Sequence, residues 1–163
     1  MSSDLGLAMA AFGIGIVGGL RSMTAPAIVS WAARLHRLDL RESRWAVLSS
    51  MVAVSIFSAL GIGELVVDKL PFVPHRTSPL AMVVRIFSGA ICGAALCISE
   101  NRLIVQGALL GGLGAVNGAF GGFHVRRLLT ARLKISDVAI AFAEDALALG
   151  AGVFIVSRFT LIS

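Results

Sequence analysis

Tyrosine is absent from the 163 residues, charged side chains make up only 14% of them, and there are just two cysteines and four prolines. Each shortage excludes something. So little charge, set beside 57% apolar residues and a mean hydropathy of +0.91, excludes an ordinary soluble globule. A 7% aromatic content without tyrosine removes the base-stacking surface of a nucleic-acid binder. The formal charge of +5 is therefore read as a topology signal and an attraction to anionic lipid, and no nucleic-acid partner is expected. Cys92 and Cys97 stand five apart in an apolar run, on opposite faces of a helix, which argues against a disulfide or a metal pair. His36, His75 and His124 are scattered without ligand spacing, so neither a metal nor a cofactor is expected.

What the chain does have is apolar length. Segments at about 5–33, 45–67, 80–99, 103–125 and 138–157 predict an all-α, polytopic helical membrane protein, a single transmembrane domain over residues 1–163. Crossing ~30 Å of hydrocarbon takes about 20 residues, so these five segments leave only short loops. Ser2, Ser3 and Asp4 stand where a secretory signal carries Lys or Arg, so the first segment is expected to stay in the mature chain. Trp31 and Trp45 flank a basic loop, as indoles do at a membrane interface.

The first segment is too long for one span and holds Gly18, Gly19, Arg21 and Pro26, which predicts an interrupted or re-entrant helix. Small-residue ladders at Gly15/Gly19, Gly89/Gly93, Gly107/Gly111 and Gly114/Gly118/Gly122 predict closely packed helices. Ala33-Arg34-Leu35 with Asp39 reappears as Ala131-Arg132-Leu133 with Asp137. If that is a duplication, a second break falls near Asn117-Gly118. Charge bias bears on this. Five simple crossings put six basic residues on each side, whereas re-entry of both glycine-rich stretches gives nine against three, as the positive-inside rule prefers. A tie also fits a protein that inserts both ways and pairs antiparallel.

Ionised groups at bilayer depth cost about 2.5–3.5 kcal/mol each on insertion scales and need a partner or water. The candidates are Arg21, Glu64, Asp68, Lys69, Arg85, Glu144 and Asp145. Glu64 and Asp68, four apart, share a helix face, and Arg85 lies ~9 Å into the third span at 1.5 Å per residue, so Arg85 is expected to pair with Glu64 or Asp68. Arg21 is the expected counter-ion of Glu144 and Asp145. Pairing leaves one carboxylate over, the one argument here for an ion or proton site. Gly13-Ile-Gly15-Ile-Val-Gly18 spells a dinucleotide fingerprint, but it lies inside a membrane stretch without the strand such a site requires. Ser22 and Thr24 beside Arg21 have no neighbouring His to activate them, and hydroxyls at a helix break ordinarily cap freed backbone.

Glu64-Leu65-Val66-Val67-Asp68-Lys69-Leu70-Pro71, followed by Arg85 and the Ser88-Gly89-Ala90 to Gly93 patch, resembles the signature of an uncharacterised bacterial integral-membrane family, a domain of unknown function numbered 4126. Arg21-Ser22-Met23-Thr24-Ala25-Pro26 and Glu144-Asp145 are similar to other positions of that family. The resemblance implies a multi-pass protein of the bacterial inner membrane and carries no known activity. Two functional readings stay open. One is a small ion or solute transporter or channel around Arg21, Glu144 and Asp145, with Glu64, Asp68 and Arg85 as further binding candidates. The other is a scaffold or accessory subunit whose ion pairs are structural. An enzyme acting on lipid stands third, and no catalytic residue is assigned. The expected partners are the lipid bilayer and further copies of the chain.

Overall fold

The computed structural model describes residues 4–40, 43–67, 79–133 and 137–159. Among these residues every regular element is a helix: α1 (Asp4–Leu20), α2 (Thr24–Arg34), a 3₁₀ helix (Arg44–Ser49), α3 (Met51–Val67), α4 (Pro79–Ser99), α5 (Ile104–Leu133) and α6 (Asp137–Phe159). Three helices, Pro79–Ser99, Ile104–Thr130 and Ala139–Arg158, are long and apolar enough to cross a membrane, while α1 and α3 are apolar but shorter. The five comparable segments expected from sequence thus become three long helices and two short ones, and the three long ones point to a membrane protein.

Side-chain sizes are distributed as lipid would have them. The interior is built from small residues such as Ala11, Ala25, Ala95, Ala115 and Ala148, while large apolar side chains such as Leu60, Phe87, Leu113, Leu147 and Phe154 face outward. A water-soluble bundle of this size would expose no such continuous apolar surface.

Helices α1, α4 and α5 form the tightest part of the bundle. A Cβ added at Gly93 would overlap the Gly107 carbonyl oxygen, and one at Gly107 would overlap that of Gly93. Gly89 and Gly111 are related in the same way, and added atoms at Gly15 and Gly19 would strike the carbonyls of Gly111 and Ala115. Helix α5 therefore runs antiparallel to α4 and parallel to α1.

The first apolar stretch is broken, but earlier than Pro26. Helix α1 ends at Leu20 and α2 starts at Thr24, so Pro26 falls in the first turn of α2, where its missing N–H costs nothing. Chain direction then reverses. Asp4, at the start of α1, is 2.7 Å from Arg102 just before α5, and Asp39, beyond α2, lines a hollow with Ser99 and Asn101 at that same end of the bundle. The α1–α2 unit is a hairpin whose two outer ends lie at the same end of the bundle. Helix α2 closes with Arg37 N–H donating to Ala32 O (2.9 Å) and His36 at φ 59°. Helix α4 closes likewise, with Arg102 N–H on Cys97 O (2.8 Å) and Asn101 at φ 53°. Both are Schellman-type ends without glycine. Ser50 Oγ accepts from Ala53 N (3.1 Å) and caps the start of α3.

The second break implied by the internal repeat is absent. Helix α5 is continuous over 30 residues, ~45 Å at 1.5 Å per residue, and passes straight through Asn117-Gly118. Asn117 Nδ2 donates to Leu113 O (2.9 Å) within the helix instead of initiating a turn. Packing of α1 and α4 against its glycines outweighs their poor helix propensity. The basic run near residue 126 consequently belongs to a helix and not to a loop.

Candidate functional site

The tip of the α1–α2 hairpin, Arg21 to Met23, leaves backbone groups without helical partners inside the bundle. Residues from two other helices take them up, and a third helix pairs with the Arg21 side chain. Glu64 of α3 supplies the N-terminal cap that Met23 lacks: Oε1 accepts from Ser22 N and Ser22 Oγ, each at 2.8 Å, and Oε2 from Met23 N at 2.8 Å. A carboxylate at this helix start also complements the α2 dipole. Ser88 of α4 donates its hydroxyl to the freed Ser22 carbonyl. Arg21, with no exposed surface, forms an ion pair with Asp145 of α6, itself buried.

A second pair lies alongside. Arg126 of α5 donates through Nη1 to Glu144 Oε2 at 3.4 Å, and these side chains keep 16% and 14% of their surface exposed, whereas Arg21 keeps none. Between the pair and the hairpin lies a cavity of about 30 Å³, lined by Gly19, Leu20, Arg85, Gly122, Arg126 and Glu144 among others, with room for a water or two. Arg85 is 92% buried and brings a second guanidinium to this wall.

The expected pairing of Arg21 with Asp145 is present. Glu144, the neighbouring residue on α6, projects about 100° away from Asp145 and contacts Arg126 while lining the cavity beside the hairpin. Glu64 was expected at Arg85, but its two oxygens are occupied by Ser22 and Met23. Asp68, the other expected partner of Arg85, and Lys69 lie outside the described residues. Ser88 entered only through the family signature and Arg126 only as a basic residue in the charge count; neither was a site candidate. A signal for Arg126 existed: Gly118, Gly122 and Arg126 recur at four-residue spacing on one helical face, so the glycine ladder leads to it.

A helical bundle with three helices long and apolar enough to cross a membrane, a buried discontinuous hairpin and charged groups facing inward points to the class: an α-helical membrane protein. Residues 8–158 match the family described as "Domain of unknown function (DUF4126)", and the chain belongs to that family. No curated protein and no solved structure matches it.

Proposed function

We propose that the protein is a small, multi-pass ion or solute transporter or channel of the bacterial inner membrane, operating at the α1–α2 hairpin tip. In this reading α3, α4, α5 and α6 cross the bilayer, α1–α2 is re-entrant, and glycine ladders are the means by which the helices recognise each other. The observation that carries it is the cavity beside the broken helix, small and largely apolar-walled but edged by Arg85, Arg126 and Glu144: charged side chains around interior space in an apolar bundle, where irregular backbone is tolerated. Arg126 and Glu144 are the exchangeable pair, one that opens without unfolding the tip. Arg21–Asp145 holds the tip in place.

The scaffold reading draws on one specific observation. Arg21 is wholly enclosed and Glu64 is spent on capping, as expected of groups whose task is structural. Liposome reconstitution separates the two. Ion and proton flux is measured for the wild type, Glu144→Gln and Arg126→Gln; transport predicts flux above that of empty liposomes, altered in both variants. Flux at the empty-liposome level for Na⁺, K⁺, H⁺ and Cl⁻ in a well-folded wild type would overturn it and leave the scaffold.

With α1–α2 re-entrant and α5 continuous, one side carries Arg34, Arg37, Arg41, Arg44, Arg102 and Arg158, and the other Lys69, Arg76, Arg126, Arg127, Arg132 and Lys134. Charge then sets no orientation, which favours insertion both ways and antiparallel self-association.

A further inference from the structure

A groove of about 390 Å³ lies between α2 and α6, and its volume is in the range of a ligand pocket, roughly 300–1,000 Å³. Its wall is apolar along most of its length: Ile28, Trp31, Leu35, Val153 and Val156 line it, with Arg37 at one end. Orientation follows from neighbouring contacts. Arg21 meets Asp145 at the deep start of α2, and an atom added to Gly152 would strike Ile28, so α2 and α6 run parallel and the groove rises with them toward the end of α2. The deep part is hydrocarbon-like. The mouth carries the exposed Arg37, the one charged residue of the lining, with Arg34 and Arg158 on the adjoining turns of α2 and α6. Trp31 Nε1 donates to Ser58 Oγ of α3 at 3.0 Å, which fixes one wall at the depth where indoles favour the bilayer interface.

An apolar slot that ends in guanidinium has the polarity of one molecule class. We propose that the α2–α6 groove is a selective site for an anionic glycerophospholipid, an acyl chain lying along Ile28 and Val153 and the phosphate held at Arg37. Charge complementarity selects the occupant: a zwitterionic lipid fills the slot equally well but brings an ammonium toward the arginines. A guanidinium has five N–H donors in a planar fork, so it engages a phosphate while keeping other contacts. The inference needs the membrane reading but not transport.

The chain has two tryptophans, Trp31 and Trp45, so Trp45→Phe leaves Trp31 as the sole reporter inside the groove. Its fluorescence is followed in bilayers containing acyl-brominated phosphatidylglycerol or, at the same mole fraction, acyl-brominated phosphatidylcholine. The expected result is tighter association of the anionic lipid by about fivefold, the size one arginine near an anionic surface supplies. That preference is lost in Arg37→Gln, retained in Arg37→Lys, and untouched by Arg127→Gln at the other end of the bundle. Equal quenching by the two lipids, or a preference that persists in Arg37→Gln, overturns the site. Quenching by neither lipid in folded protein would overturn the membrane reading instead.

Discussion

Arg21 concentrates the chemistry of this protein. A guanidinium with no exposed surface survives in an apolar bundle only because Asp145 faces it, and the two form one unit. Arg21→Leu and Asp145→Leu should each lower stability in detergent by about 3–5 kcal/mol, because each strands an uncompensated charge. The double variant should recover most of the loss in thermal unfolding; additive losses would show that the two side chains do not act together. Glu64 makes a different case, a carboxylate used as a helix cap. Glu64→Gln keeps one acceptor oxygen, enough for Ser22 or Met23 but not both, gives up the charge, and should cost about 1–3 kcal/mol. Ser22→Ala, which removes one of three hydrogen bonds, should cost less by the same measurement. At this scale the sequence was informative about which charges matter and poor on partners. Rarity of charge in apolar runs singles out Arg21, Glu64, Arg85, Glu144 and Asp145, but partner choice depends on the rotation of α6 and the depth of α3, which no local pattern encodes.

Elements divide along the same line. The break in the first stretch was legible, position included, because Gly18, Gly19, Arg21 and Pro26 converge there, while its partner was not: Glu64, 42 residues downstream of Ser22, takes up the backbone freed at the break. Helix α5 shows the opposite failure. Its glycines and Asn117 read locally as a second break, yet neighbours from α1 and α4 pack against those glycines and hold the helix through it. Glycines in one helix should therefore respond to substitution in opposite senses. Gly93→Ala and Gly107→Ala would drive a methyl into facing backbone and should destabilise by ~1–3 kcal/mol. Gly121→Ala in α5 meets open space and should stabilise by ~0.5–1 kcal/mol through helix propensity alone. Thermal unfolding of the three variants in one detergent checks the contrast, and equal effects would contradict close α4–α5 approach.

For the whole molecule the decisive feature is that α1–α2 returns to its own end of the bundle. That return places Asp4 with Arg102 and Asp39 with Ser99, and puts the hairpin tip against Asp145 and the cavity edged by Arg85, Arg126 and Glu144. Length and hydropathy announced a membrane chain, but an apolar run of 29 residues is compatible with either a crossing or a return. Charge counting favoured two re-entrant stretches only because α5 was taken as broken. Mass-tagging in sealed vesicles tests the return independently of orientation, in a Cys92→Ala/Cys97→Ala background with cysteines at exposed Asp4 and Arg44, using a membrane-impermeant maleimide polymer. A returning hairpin predicts molecules that carry either no tag or two, whichever way they inserted, and the Asp4/Arg127 pair should give singly tagged molecules. A single tag on every Asp4/Arg44 molecule would place these residues on opposite faces and contradict the account.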